Sequence, residues 1–233
     1  MKKLLAVTLL AVVLASCTPT NTKPDVSTVE AEKHLNKGID FASAGSLKKA
    51  LTEFDQVIDI CNKKYSDKKL KVFSSRGSVE TLYYMALAAT QGVDAMAVDT
   101  TCSDALYFRG YSELDLGNIA LAQTYIERAI EMSPNNSVYL SELGHIHQTN
   151  KKWNEALATF TDSEDSAELY SPEQVKVGEL TRAKRGVGYA LIELQRFDEA
   201  ELKYQECLKL DPSDKGSVNE LEYIKSLREK SSK

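Results

Sequence analysis

The feature that most constrains the fold is a pattern of small residues that recurs with a period of 34 residues in the middle of the chain. Its first copy, in residues 103–136, consists of Gly110, Gly117, Ala122, Ala129 and Pro134. The second copy follows without a gap: Gly144 lies 34 residues after Gly110, and Ala156 and Phe160 come next. A fixed period of this length is typical of stacked helical hairpins, because each hairpin can bury its apolar face only against its neighbours. The pattern therefore predicts an array of helical hairpins.

This pattern resembles the tetratricopeptide repeat (TPR), in which small residues at places 8, 20 and 27 let two antiparallel helices approach and a proline at place 32 ends the second helix. The resemblance implies an all-α fold for residues 29–230, a right-handed α-solenoid of helix-turn-helix hairpins. The assigned segments are repeats at 31–64, 65–102, 103–136, 137–170 and 181–214, and a C-terminal capping helix at 215–230. It also implies protein binding as the class of activity.

The segment 65–102 matches the repeat least well and is assigned as a degenerate repeat. Gly77 and Ala89 reproduce the interval between places 8 and 20, but no turn signal lies between them. We therefore predict a short helix over 68–75, a break at Gly77, a longer helix over 78–91 and a loose connection to the next repeat.

The last repeat also departs from the period. Gly188 lies 44 residues after Gly144, which is ten more than the period. We expect the extra residues to lengthen the helices on both sides of an acidic loop at 162–168, so that the following helix runs over 172–195. Residues 171–174, Ser-Pro-Glu-Gln, supply a helix N-cap and a proline at the first helical position.

The N-terminus carries an export signal. Two lysines precede an apolar run over residues 4–14, and Leu14-Ala15-Ser16-Cys17 resembles the bacterial lipobox. The run is too short to cross a bilayer, which takes about 20 residues. The resemblance implies a signal peptide at 1–16, lipidation of Cys17 and a flexible tether at 17–28. Because Thr18 rather than aspartate follows the cysteine, lipoprotein sorting in a bacterium with two membranes implies an outer-membrane protein that faces the periplasm.

The charge of the chain disfavours one class of partner, and its export signal and cysteines indicate the redox compartment. Without the two leader lysines the chain has 27 basic and 34 acidic side chains, which disfavours nucleic acid as a partner. Export points to an oxidising compartment, where disulfides persist. A disulfide between Cys61 and Cys102 is left open, because the sequence does not provide the Cα separation. Cys207 occupies a small-residue place of the last repeat and is expected to be a packed core thiol.

The sequence offers no catalytic constellation. It has three histidines and no phosphate-binding loop, HExxH or GxSxG motif. His145 and His147 are two residues apart, so on a helix they point to opposite sides and cannot share a metal. The acidic run at 162–168 lacks the ligand pattern of a calcium loop. We expect no enzyme activity, metal, cofactor or small-molecule substrate.

The resemblance places binding on a concave groove lined by the first helix of each hairpin. Carried over to this chain, the predicted groove residues are Tyr107, Tyr111, Leu114, Ser141, His145, Gln148, Arg182, Arg185 and Tyr189. Tyr and Arg are the types most enriched at binding hot spots, although each residue could equally be an ordinary solvated side chain. Tyr107 and Tyr111 stand where the family's carboxylate clamp has Lys and Asn, so capture of a free peptide C-terminus is not supported. The two arginines suit an acidic segment.

Two functional hypotheses follow from the resemblance. The first is a lipid-anchored scaffold or adaptor that binds another envelope protein through the groove and serves envelope assembly or maintenance. It is similar to adaptors that recruit cell-wall hydrolases and to pilotins that escort secretin subunits. The second is a self-associating or docking subunit of a larger envelope machine, pilotin-like or an assembly factor. It would act through its convex face and terminal helix, with a homodimer buried through Leu221 and Ile224.

Overall fold

The computed structural model describes residues 25–66 and 69–231, and this part of the chain forms ten helices and two short strands. In chain order the elements are α1 Val26–Ser43, α2 Leu47–Lys64, β1 Lys71–Ser74, α3 Ser78–Gln91, β2 Ala95–Val98, α4 Thr101–Asp115, α5 Ile119–Met132, α6 Ser137–Thr149, α7 Trp153–Tyr170, α8 Glu173–Glu193, α9 Phe197–Leu210 and α10 Lys215–Ser231. Helices pack as the hairpins α1–α2, α4–α5, α6–α7 and α8–α9, and α10 packs on α9 and α8. The predicted helical solenoid with a C-terminal helix is confirmed.

The recurring glycines lie where the two helices of a hairpin cross. In each hairpin the glycine on the first helix faces a large side chain on the second: Gly38 faces Phe54, Gly110 faces Ile126, Gly144 faces Phe160 and Gly188 faces Tyr204. A Cβ added at Gly144 would lie 2.8 Å from the Phe160 ring. These large side chains fill the space that a Cβ on the glycine would take, and tight packing of this kind stabilises the core. The glycines recur in the sequence because the contact between the two helices recurs in each hairpin.

The turn inside each hairpin needs one residue in the left-handed region of the backbone. Gly45 and Gly117 supply it in the first two hairpins, with φ of 69° and 81°. Lys151 and Gln195 take the same conformation in the last two, with φ of 56° and 60°. Residues with a Cβ adopt this region at a cost of about 1–2 kcal/mol, so the last two turns are less favourable than the first two.

The segment between the first two hairpins is not a helical repeat. The predicted helix over 78–91 is confirmed as α3, but the predicted helix over 68–75 and the loose connection are wrong. These two segments instead contain the strands β1 and β2, which pair in parallel with Lys71 opposite Ala95 and Ser74 opposite Val98. The Phe73 ring stacks on Tyr84 of α3 at 4.9 Å, so the helix covers one face of the two-stranded sheet. This β1–α3–β2 unit replaces the expected degenerate repeat.

A disulfide closes the chain around this inserted unit. Cys61 at the end of α2 is bonded to Cys102 at the start of α4, with a Cα–Cα distance of 6.0 Å. Helix α2 also packs directly on α4. The array of hairpins therefore continues from α2 to α4, and the β1–α3–β2 unit branches from its side. Cys207 is buried and not bonded to another cysteine, as expected for a core thiol.

A largely buried ion pair, each side chain 13% exposed, attaches the inserted unit to the C-terminal half. The Arg76 guanidinium lies 2.8 Å from a carboxylate oxygen of Glu179 on α8, and its Nε lies 3.3 Å from Glu80. Glu179 also accepts hydrogen bonds from the hydroxyls of Ser137 and Ser171. Burial opposes the charge of Glu179, but these donors outweigh it and hold the pKa of Glu179 below its ordinary value. Such a network costs stability when one member is removed.

Three further expectations need adjustment. Helix α1 begins at Val26 with Asp25 as its N-cap, so the predicted tether at 17–28 extends too far; Cys17 and the signal peptide lie outside the described residues. The acidic run at 162–168 is the last part of α7 and not a loop, because the extra residues lengthen α7 and α8 themselves. Ile224 is only 1% exposed, so it is unavailable for a homodimer.

Within 25–66 and 69–231, no helix is long and apolar enough to span a membrane.

Candidate functional site

An open cavity of ≈ 370 Å³ lies between the first helices α6 and α8 of two neighbouring hairpins and the final helix α10. We call it the C-terminal cavity. Its lining residues are His145, Gln148, Arg182, Arg185, Gly186, Tyr189, Tyr204, Gly216 and Glu220. Five of the nine predicted groove residues are among them. The helical register of the repeats therefore brings His145, Gln148 and the α8 residues to one place.

The predicted groove residues on α4 lie next to this cavity rather than in it. Tyr107 is buried, with its ring stacked on Tyr139 at 5.1 Å and its hydroxyl beside the Arg182 guanidinium. This burial raises the pKa of Tyr107 to about 12, so the phenol stays neutral. Tyr111 is 41% exposed and Leu114 is half-buried. Of the α4 residues, Tyr111 is the one that offers a ring to a partner.

Ser141 is not an accessible groove residue, contrary to the sequence expectation. It is 1% exposed, and its hydroxyl lies 2.8 Å from the Ser163 hydroxyl on α7. Ser163 in turn donates to the Ser137 carbonyl at 2.7 Å. Two small hydroxyl side chains let α6 and α7 approach, and each needs a hydrogen-bond partner once water is excluded. Ser141 therefore belongs to the contact between these helices.

Both arginines of the cavity are already paired with carboxylates of this chain. Arg182 donates to Glu142 at 2.6 Å, and Arg185 donates to Asp214 at 2.6 Å. Glu142 is only 3% exposed. Burial would raise the pKa of Asp214, but the Ser217 hydroxyl and Arg185 outweigh it and hold that pKa below its ordinary value. The positive charge that suggested an acidic partner segment is thus balanced within the site.

His145 and His147 are separated as the helical spacing predicts. His145 lines the cavity, with its ring nearly perpendicular to that of Phe160, the ring centroids 5.2 Å apart, and Nδ1 3.1 Å from the Gln148 amide oxygen. Burial lowers the pKa of His145, and the neighbouring Arg182 acts in the same direction, so the imidazole is neutral at pH 7. Burial also lowers the pKa of His147, which does not line the cavity. No cluster suited to a metal ion occurs among the described residues.

Helix α10 contributes a carboxylate that the sequence did not indicate as part of the site. Glu220 lines the cavity and is half-buried, and within 25–66 and 69–231 its carboxylate has no hydrogen-bond or ion-pair partner. Burial raises the pKa of Glu220, and no cation of the described residues offsets the effect. Across the cavity Tyr189 is 39% exposed, and its ring lies 6.3 Å from that of Trp153. The unpaired charge of the cavity is therefore negative.

Two segments of the chain, 103–136 and 182–214, match the tetratricopeptide repeat family. No curated protein sequence matches the chain. Among solved structures, PilF from Pseudomonas aeruginosa is similar at 12% identity, with 88% of this chain and 72% of that chain covered and a TM-score of 0.62. MamA from Desulfovibrio magneticus RS-1 is similar at 15% identity, with 86% of each chain covered and a TM-score of 0.57. At these identities the likeness concerns the fold. Residues 103–136 and 182–214 thus match tetratricopeptide repeats, and the helical hairpins of the described residues have the fold of a TPR solenoid.

Proposed function

We propose that the protein is a scaffold that binds a segment of another protein through the first helices of its hairpins, α4, α6 and α8. The observation that carries the proposal is the C-terminal cavity, which is open to solvent and formed by residues from four helices, α6, α8, α9 and α10. Binding sites are commonly pre-formed concavities with apolar walls and a few oriented polar groups. The cavity has this composition, with tyrosine rings, an imidazole and two oriented guanidinium groups.

Two exposed tyrosines add aromatic surface to the same predicted groove as the paired arginines. Tyr111 on α4 and Tyr189 on α8 are each about 40% exposed, and both belong to the predicted groove. Tyrosine combines a large apolar ring with a hydroxyl and loses little conformational entropy on binding. An extended or helical segment that crosses α4, α6 and α8 would contact both rings. Catalysis forms no part of the proposal.

The test is a crosslinking pull-down from native membranes with the Tyr111→Ala/Tyr189→Ala protein. We expect the partners captured by the wild-type protein to be lost. The matched control is Leu121→Ala/Leu202→Ala, which removes two exposed side chains from the second helices α5 and α9. If the tyrosine variant captures the same partners as the wild-type protein, binding does not use this face.

We further propose that lipid on Cys17 anchors the protein to the outer membrane, facing the periplasm, where it serves assembly or maintenance of the cell envelope. The support is the lipobox-like sequence that ends at Cys17 and the polar stretch that follows it. Several acyl chains on one cysteine would anchor a protein firmly, since each buried CH₂ contributes about 0.8 kcal/mol. Cys17→Ala should move the protein from the membrane fraction to the soluble fraction. Retention in the membrane fraction would contradict the anchor.

A second candidate function is docking or self-association through the terminal helix. Val218 and Tyr223 on α10 are exposed, so this helix retains an apolar outer surface although Ile224 is buried. Light scattering of the mature chain with Cys17→Ser distinguishes the two candidates. A stable dimer that Val218→Glu disrupts would favour self-association, and a monomer would favour the scaffold.

A further inference from the structure

We propose that the C-terminal cavity receives a basic side chain, a lysine or arginine of the bound segment, with Glu220 as its counter-ion and the Tyr189 ring as its wall. The inference rests on the proposed function, since it assumes that a segment lies across α6 and α8. It differs from the sequence expectation, in which Arg182 and Arg185 would attract an acidic segment.

The first argument is the balance of charge around the cavity. Arg182 is paired with Glu142 and Arg185 with Asp214, both at 2.6 Å, so these four groups sum to zero. The His145 imidazole faces the same space and is neutral at pH 7. Glu220 is the remaining ionisable carboxylate in the lining, and it has no partner within the described part of the chain. The cavity therefore has a net charge of about −1 when Glu220 is ionised.

The second argument is desolvation of that carboxylate. Glu220 is half-buried between α10 and α8, and burial raises its pKa with no positive group to offset it. An ammonium or guanidinium group in the cavity would supply the missing partner and form a charge-assisted hydrogen bond. A carboxylate ligand would be repelled by Glu220, and the arginines it could approach are already neutralised by Glu142 and Asp214. The site therefore discriminates between the two signs of charge.

The third argument is the aromatic wall. Tyr189 presents a partly exposed ring to the cavity, and burial together with the negative charges of Glu193 and Glu220 raises the pKa of its phenol. The Tyr204 ring forms part of the floor, with its hydroxyl 3.5 Å from the Arg185 carbonyl. A cation over a tyrosine ring is attracted by the negative face of the ring, within about 6 Å of its centre. Ring and carboxylate together suit the stem and the head of a lysine or arginine side chain.

The chain contains its own reporter for the test. Trp153 is the single tryptophan of the sequence, and its ring lies 6.3 Å from the Tyr189 ring. The purified full chain in detergent micelles is titrated with a capped tripeptide that has a central arginine, and with the same peptide carrying glutamate. We expect a saturable change of Trp153 fluorescence with the arginine peptide that weakens as salt is added, and no saturation with the glutamate peptide.

Two matched variants identify the counter-ion. Glu220→Gln should weaken binding of the arginine peptide by about tenfold or more, the usual contribution of a hydrogen bond to a charged group. Glu222→Gln changes net charge by the same amount at an exposed position of the same helix and should leave binding unchanged. Thermal unfolding of both variants checks that the fold is retained.

Equal binding of the two peptides, no saturable binding of the arginine peptide, or an unchanged affinity in Glu220→Gln would overturn the proposal. None of these results depends on the pull-down with the tyrosine variant. If the peptide titration gives one of these results but Tyr111→Ala/Tyr189→Ala still loses its partners in the pull-down, the protein binds partners through this face and recognises a different chemical group. The two proposals can therefore fail separately.

Discussion

The Cys61–Cys102 disulfide allows a quantitative test of how the first hairpin is joined to the rest of the array. The bond closes a loop with a sequence separation of 41, and α2 and α4 pack on each other where it forms. In the chain-entropy treatment, a loop of this length lowers the entropy of the unfolded chain by about 13 cal/mol/K, or about 4 kcal/mol at 25 °C. We therefore expect reduction of the disulfide to lower the free energy of unfolding by about 4 kcal/mol.

Urea unfolding followed by far-ultraviolet circular dichroism measures this effect, with the oxidised and reduced proteins compared. With a slope of about 3 kcal/mol per M urea, the midpoint should fall by about 1.3 M on reduction. The Cys61→Ser/Cys102→Ser protein is the control, because the reductant should not change its midpoint. If thiol labelling shows that the bond has opened and the midpoint moves by less than about 0.3 M, the loop-closure reasoning is refuted.

Two buried contacts and one turn give the remaining predictions. Gly186→Ala would place a Cβ 2.2 Å from the Phe160 ring and should lower the free energy of unfolding by about 1–3 kcal/mol, whereas Gly178→Ala on the same helix meets open space and should raise it by about 0.5–1 kcal/mol; equal effects would contradict this account. Glu179→Gln should lower the free energy of unfolding by about 3–5 kcal/mol at pH 7, because it leaves the Arg76 charge without its partner. The folded-state pKa of Glu179 lies below its ordinary value of 4.5. The ionised carboxylate therefore stabilises the fold above pH 4.5, and this contribution is lost as the pH falls through the folded-state pKa. The difference from wild type should therefore shrink as the pH falls below 4.5 and through the folded-state pKa of Glu179, and an undiminished difference in circular dichroism melts at acidic pH would argue against the pair. Lys151→Gly should raise the melting temperature by relieving about 1 kcal/mol of backbone strain, and an unchanged or lower value would contradict this.

The hairpins could be predicted from the sequence because a glycine and a large side chain must recur together for two helices to touch. Gly144 and Phe160 are such a pair, and their interval of 16 residues is visible in the chain. The β1–α3–β2 unit could not be predicted in the same way. Its strands have four residues each and pair across α3, so the pairing depends on contacts that are distant in sequence. The interval from Gly77 to Ala89 reproduced the repeat spacing without forming a hairpin.

In the candidate site, too, the residues placed by spacing within a repeat could be predicted, and those placed by contacts between distant helices could not. Helical register brought His145, Arg185 and Tyr189 to one surface, since it depends only on spacing within each repeat. The same register also selected Ser141, which is buried because Ser163 of the next helix lies against it. Glu220 could not be assigned to the site, because its place depends on how α10 docks against α8. A helix-capping pattern could have identified Asp214 as a cap, but not as the acceptor of Arg185.

The Phe160 ring is held between glycines of two hairpins, since a Cβ at either Gly144 or Gly186 would collide with it. One side chain thus serves as the contact inside its own hairpin and as the contact to the next. Gly186 and the edge-on partner of the ring, His145, also line the C-terminal cavity. Local opening of α7 would remove the Phe160 ring, against which His145 and Gly186 of the cavity lining pack. Binding and unfolding are therefore linked, and an occupied cavity should slow amide hydrogen exchange in α6, α7 and α8 as one cooperative unit.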